Sequence, residues 1–145
     1  MSKLNLSLQD HPAEAELQFV QDQLDEYNMA RTGNRDYRPL AVFLRDDAGT
    51  TLGGLTGFTW GGTLKIEFLW VHDDQRGCGY GARMLAMAED EARRRACRQA
   101  ILATHSFQAP EFYLKRGYIQ CGLADDWPVG YNEHYFQKRL DEAKL

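Results

Sequence analysis

The segment running from Val71 to Gly81 limits what this chain can become more than any other. An apolar strand, Phe68-Leu69-Trp70-Val71, delivers the backbone through a polar loop, Asp73-Asp74-Gln75. The chain then enters Arg76-Gly77-Cys78-Gly79-Tyr80-Gly81, and a long helix begins inside that loop. Three glycines in five positions permit positive φ and let a ligand approach the main chain closely. The first amides of a helix have no internal partner and carry the positive end of its dipole. An anion, here a phosphate or pyrophosphate, is therefore the natural occupant, or else the glycines serve only the packing of a tight strand–helix turn. A strand followed by a crossover helix also commits the next strand to lie parallel, with a right-handed connection.

The flanking pattern completes an α/β chain. Leu4, Leu6 and Leu8 alternate with polar residues and predict a short first strand. Asp10 and Pro12 suit the start of a helix carrying Leu17, Val20, Leu24 and Tyr27 on one face, with Thr32-Gly33-Asn34 as its breaker. Strands follow over Arg38–Arg45, Thr51–Trp60 and Thr63–His72, joined by Asp46-Asp47-Ala48-Gly49 and Gly61-Gly62 as hairpin turns. The long helix has a core stripe of Gly81, Leu85, Ala88, Ala92 and Ala96. Its other face carries Glu89–Arg93, Asp90–Arg94 and Glu91–Arg95, read as a solvated exterior. Gln99–His105 is a buried strand. A short helix spans Ala109–Lys115 and ends at Gly117, and strands Tyr118–Leu123 and His134–Leu140 close the chain.

The expected fold is a mixed central sheet of about seven strands, antiparallel in its N-terminal part, with helices on both faces. At 145 residues and 43% hydrophobic composition, one domain over residues 1–145 can bury a full core. The net charge of −4 is poorly suited to tracking a phosphate backbone, so no nucleic-acid partner is expected. No apolar run approaches the ~18 residues that cross a bilayer, so no membrane partner is expected. Met1–Ser7 lacks the apolar stretch of a secretory signal, and Cys78, Cys97 and Cys121 form no paired spacing. These features predict a cytoplasmic protein with reduced thiols. His72, His105 and His134 have no ligand spacing, and no metal is expected.

Two nucleotide readings of the glycine loop fail. Gly77-x-Gly79-x-x-Ala82 fits the loose dinucleotide pattern, but the next strand ends Ala103-Thr104-His105, with no acid to hold a ribose. Gly81 is followed by Ala82-Arg83, not by the Lys-Ser/Thr of a phosphate-binding loop. The loop instead resembles the Arg/Gln-x-x-Gly-x-Gly/Ala signature of the GNAT superfamily, the acyl-CoA-dependent N-acetyltransferases. A second block, Phe107-Gln108-Ala109-Pro110-Glu111-Phe112-Tyr113-Leu114-Lys115-Arg116-Gly117-Tyr118, is similar to the family's short helix ending in Phe-Tyr-x-x-x-Gly-Phe/Tyr. One helix and one strand separate the blocks, as in the family.

The resemblance implies a fold in which parallel strands four and five, here Thr63–His72 and Gln99–His105, splay apart. It implies acetyl-CoA as co-substrate. Leu69, Trp70 and Val71 would meet pantetheine and the acyl carbonyl through main chain, like an added strand. Arg76, Gly77, Cys78, Gly79, Tyr80 and Gly81 would hold the pyrophosphate, Cys78 mainly through its backbone. Gln108 joins the cofactor-binding set. Tyr113 matches the family tyrosine that protonates the leaving thiolate, or else it packs beside Phe112.

Glu67 interrupts an apolar strand between Ile66 and Phe68 and shares a face with Leu69 and Val71. It is read as the base or the substrate-ammonium binder, or else as a buried structural acid paired with Arg or Lys. The acceptor would be a small amine or a peptide amine, attacking directly in a ternary complex. Tyr27, Asn34, Arg35, Asp36, Tyr37, Asp125, Asp126, Trp127, Tyr131 and His134 are candidate walls for it. The resemblance also implies pairing through the C-terminal strands as a homodimer. A non-catalytic acyl-CoA-binding sensor or scaffold is the alternative.

Overall fold

The computed structural model describes residues 2–141, which fall into two compact units, Met1–Arg35 and Asp36–Leu145. No described helix is long and apolar enough to cross a membrane. In the first unit, α1 (Glu14–Thr32) begins after Ala13, which offers no capping side chain, so neither Asp10 nor Pro12 starts it. Gly33 ends it at φ 75°, its N–H donating to Met29 O at 2.9 Å. Leu4, Leu6 and Leu8 form no strand. Alternation supplies a face but no ladder, and without a neighbouring strand the backbone stays irregular.

The second unit holds a six-stranded sheet, one strand fewer than expected. Its strands are β1 (Arg38–Arg45), β2 (Thr51–Trp60), β3 (Thr63–Val71), β4 (Gln99–His105), β5 (Ile119–Asp125) and β6 (Asn132–Arg139), in the spatial order β1-β2-β3-β4-β6-β5. Two turns fix the antiparallel start. Asp46 Oδ1 accepts from the amides of Ala48 and Thr50 at 3.0 and 2.9 Å, and Gly61 and Gly62 take φ of 59° and 84°. Positive φ at both central positions suits the tight turn that matches strand twist.

Two departures from regular pairing shape everything downstream. Opposite Gly57 and Thr56, β3 pairs through Ile66 and Phe68, leaving Glu67 as an extra residue, a β-bulge. The burial pattern changes parity there. Leu64 and Ile66 are buried before it, while Leu69 and Val71 pack on the core after it. The second departure is between β3 and β4. They pair in parallel only through Thr63–Gln99, Leu64–Ala100 and Lys65–Ile101, and no ladder joins them beyond.

Helix α2 (Tyr80–Arg94) seats Met84, Leu85, Ala88 and Ala92 on the core face of the sheet. α3 (Pro110–Leu114) lies on that same face. Phe112 of α3 reaches Gly81 of α2, and Tyr113 meets the Phe136 ring of β6 at 6.1 Å. The two helices of this unit therefore do not lie on opposite faces. The charged residues of α2 do not all face solvent. Asp90–Arg93, Glu91–Arg94 and Glu91–Arg95 pair at its surface, but Glu89 turns inward, 6% exposed, toward Tyr118 and Lys138.

The bulge depends on a missing side chain. A Cβ built on Gly57 would collide with the carbonyl oxygen of Lys65 and stand 3.1 Å from Ile66 Cα, both fixed backbone atoms. Gly57→Ala should therefore lower the midpoint of urea unfolding by the equivalent of about 1–3 kcal/mol. At Gly62 no atom lies within 4 Å of such a Cβ and only φ is strained. Gly62→Ala, measured alongside, should lose less.

Candidate active site

Where β3 and β4 part, the structure opens a cleft of about 750 Å³. That is within the usual range for a small-molecule or cofactor site. Leu69, Trp70 and Val71 form one wall, the loop with the start of α2 a second, and Phe107, Gln108, Ala109, Phe112, Tyr113 and Arg116 a third. Of the residues expected to hold a cofactor, Leu69, Trp70, Val71, Arg76, Gly77, Gly79, Tyr80, Gly81 and Gln108 share this cleft. Cys78 is exposed outside it, its thiol 3.8 Å from Arg76 O.

The wall at β3 is a strand edge. His72 N–H donates to Leu52 O at 2.7 Å, on the β2 side. By alternation, the main-chain groups of Leu69 and Val71 point the other way, into the opening. The Val71 carbonyl there accepts from Arg76 Nε at 3.2 Å, and the Arg76 guanidinium also pairs with Asp73 at 3.3 Å. Arg76 thus braces the loop.

Gly77 and Gly79 take φ of 77° and 84°, and a Cβ on either would meet nothing within 4 Å. These glycines serve backbone conformation rather than packing. Gly79 precedes α2 directly and its carbonyl accepts from Arg83 N–H at 3.1 Å, so the amides of Tyr80, Gly81 and Ala82 face forward without helical partners. An anion fits here. Arg116, not among the expected site residues, adds a guanidinium on the same cleft. It stacks on Phe112 at 3.9 Å and donates to Phe112 O at 2.8 Å. Its place in the second sequence block was the signal for it.

Tyr113 is 7% exposed and lines the cleft, its ring held by Phe112 at 5.1 Å and Tyr118 at 5.7 Å. Burial pushes its phenol up to about 12. It therefore stays protonated throughout the neutral range, as a donor must. Gln108 turns its side-chain oxygen inward, accepting from His105 N–H at 2.7 Å and Thr104 Oγ1 at 3.1 Å, and so secures the turn between β4 and α3. Glu67 is exposed at the bulge. It does not line the cleft, the bulge takes it off the core face that Leu69 and Val71 share, and the reading of it as a buried structural acid does not hold, because it is exposed.

Beyond the α3 side, residues 105–107 and 127–132 are stitched together. Ser106 N–H donates to Asn132 O at 2.8 Å and Ser106 Oγ accepts from Asn132 N–H at 3.0 Å. This gathers four rings. His105 stacks on Phe107 at 5.2 Å and meets Trp127 edge-on at 5.8 Å, while Phe107 meets Tyr131 at 5.1 Å. Phe107 is the ring shared with the cleft. Of the other candidate acceptor walls, Asp36 is spent on Gly61 N–H at 3.1 Å, and Tyr37 lies on Phe58. Asp126 accepts from Gly130 N–H within its own turn, and His134 stacks on Phe136 with Gln120 at 2.8 Å. Asp125 ends β5 beside Asn132. Tyr27, Asn34 and Arg35 belong to the first unit, where Arg35 grips Glu26 with two hydrogen bonds. Among the described residues no group of His, Cys, Asp and Glu has the arrangement of a metal site.

An opened strand edge, a glycine-loop helix start and a buried tyrosine in one cleft define an acyl-transfer fold, and comparison with known proteins bears on this directly. The profile of the acetyltransferase (GNAT) family matches residues 5–118. The chain is 37% identical over 128 residues to acetyltransferase Atu2258 of Agrobacterium fabrum, covering 88% of this chain and 93% of that protein. It is 35% identical over 116 residues to the blasticidin-S acetyltransferase of Streptomyces morookaense, covering 77% and 85%. A crystal structure of an acetyltransferase from Bacillus cereus superposes with a TM-score of 0.79 at 32% identity, covering 92% of this chain and 97% of that one. The chain belongs to the GNAT acetyltransferase family and is an acyltransferase.

The Tyr113 shift has a consequence for stability. A phenol whose folded pKa lies above its unfolded value near 10 stabilises the fold below pH 10, and that contribution fades as pH rises toward 12. The urea midpoint of the wild type should fall between pH 10 and 12, and in Tyr113→Phe it should fall less steeply over the same window. Equal slopes would contradict the assignment.

Proposed function

We propose that this chain is an acetyl-CoA-dependent N-acetyltransferase that acts as one domain over residues 1–145. It transfers acetyl to a primary amine by direct attack in a ternary complex. The observation that carries this reading is the coincidence, in one cleft, of a strand edge at Leu69 and Val71 that no β4 ladder reaches, free amides at the head of α2, and the buried Tyr113.

Acetyl-CoA supplies the acyl group, activated as a thioester. The main-chain groups of Leu69 and the N–H of Val71 bind its pantetheine arm as an added strand would be bound. The amides at 77–82 take the pyrophosphate, with Arg116 contributing charge. Tyr113 gives its proton to the departing thiolate. Its burial disfavours the phenolate, so it returns to the protonated state each cycle. Glu67, exposed at the bulge where the strands part, binds the acceptor ammonium or receives its proton through water.

The rings of Phe107, His105, Trp127 and Tyr131 form the acceptor wall. They suit a small cationic amine through cation–π contact. The likeness to a blasticidin-S acetyltransferase supports a small-molecule acceptor over a protein chain.

Titration calorimetry with acetyl-CoA, followed by thiol release over a panel of amines (blasticidin S, a polyamine, an amino sugar, an amino acid and a short peptide), tests this. The wild type should bind acetyl-CoA and turn over at least one small amine. Tyr113→Phe should lower kcat by about 10²-fold or more while binding stays within about twofold. Arg116→Ala should instead weaken binding by about tenfold and flatten its dependence on salt. Absence of heat with acetyl-CoA, or unchanged turnover in Tyr113→Phe, would overturn the reading.

A further inference from the structure

Glu89 lies four residues after Leu85 and three before Ala92, on the face of α2 that is otherwise apolar. Removing a carboxylate from water costs several kcal/mol unless charge and hydrogen bonds replace its hydration. Both oxygens are met. Oε2 accepts from the Tyr118 hydroxyl at 2.7 Å, and Oε1 accepts from Lys138 Nζ at 2.9 Å. Lys138 arrives from β6, its ammonium 5.5 Å from the centre of the Tyr118 ring. Tyr118 lies four residues beyond the end of α3, directly before β5, and is 3% exposed. A single carboxylate therefore ties α2, β6 and the entry to β5 together.

Tyr113 packs against this cluster through Tyr118. The Tyr118 ring meets it edge-on, 5.7 Å away at 77°, and Tyr118 N–H donates to Tyr113 O at 3.1 Å. Phe112 and Phe136 hold its other sides at 5.1 and 6.1 Å. Those two are apolar contacts, which tolerate sliding. The Tyr118–Glu89 bond is directional, so it fixes where the wall stands. A buried ion pair contributes little stability that an apolar pair of equal volume would not. Its distinctive effect is a fixed geometry.

We propose that Glu89, with Lys138 as its counter-ion, is a positioning residue for Tyr113. By holding the Tyr118 hydroxyl, it sets the ring against which Tyr113 is placed in the cleft. This rests on Tyr113 being the proton donor of the reaction proposed above.

A double-mutant cycle on the full chain separates positioning from mere stability. Acetyl-CoA is supplied with hydroxylamine as a small acceptor, and kcat for thioester loss is read beside the acetyl-CoA Kd from calorimetry. Tyr118→Phe is expected to lower kcat about tenfold with Kd within about twofold, and Glu89→Gln to act in the same direction. In the Tyr113→Phe background, adding Tyr118→Phe should change kcat by less than about twofold, because the group it positions is already gone.

Folded Tyr118→Phe and Glu89→Gln proteins working at the wild-type rate would overturn the proposal. So would Tyr118→Phe slowing the Tyr113→Phe enzyme by its full factor. If Tyr118→Phe does not fold, Glu89→Gln and Lys138→Met carry the test, and if those also fail to fold the cluster is a folding element and the proposal falls. A wild-type rate in Tyr113→Phe alone, or no catalysis by the wild type above the uncatalysed rate, would overturn the reading of the site itself, which is a distinct result.

Discussion

The parting of β3 from β4 after three residue pairs is the constraint on which the rest of the molecule depends. Strand edges in the middle of a sheet are ordinarily filled, because unpaired main-chain groups away from water are expensive. Here the ladder stops just before Glu67, the extra residue of the bulge, and the bulge is possible only because Gly57 has no side chain to meet Lys65 O. The change of parity across it turns Leu69 and Val71 toward the core, which anchors the strand while its edge stays open. The gap in the ladder is a place for an added strand, and the pantetheine arm is the occupant proposed for it.

The cleft gathers two unlike electrostatic features. Its wall includes helix amides and Arg116, with Gly77 and Gly79 holding positive φ. It also includes a phenol packed among rings, whose ionisation burial disfavours. An anion-binding loop and a proton donor are different electrostatic demands. The fold meets them by leaving one open to solvent and burying the other.

Much of this could be read from the residues, because the elements from Arg38 to His105 are punctuated by turn chemistry that acts locally. Asp46 to Gly49 and Gly61-Gly62 each determine a hairpin without help from the rest of the chain. The glycine loop and the block around Tyr113 likewise carry their conformation in their own residues. What was hidden is relational. Leu4, Leu6 and Leu8 alternate as a strand should, but alternation does not provide a neighbour. The bulge is a property of two strands in register, so Glu67 read as a costly interior acid when it is exposed. Glu89 had the spacing of a core position, four from Leu85, yet its charge suggested the outside, because its partners Tyr118 and Lys138 are distant in sequence. The ring cluster of His105, Phe107, Trp127 and Tyr131 needed two loops to meet.

Amide hydrogen exchange with and without saturating acetyl-CoA tests the central claim most directly, since it reports on the main-chain groups said to do the binding. The account predicts slowed exchange at Leu69, Val71 and residues 77–82, with β1, which lies far along the sheet from the opening, unchanged. Binding with no protection on the β3 edge, or with protection confined to other strands, would contradict it.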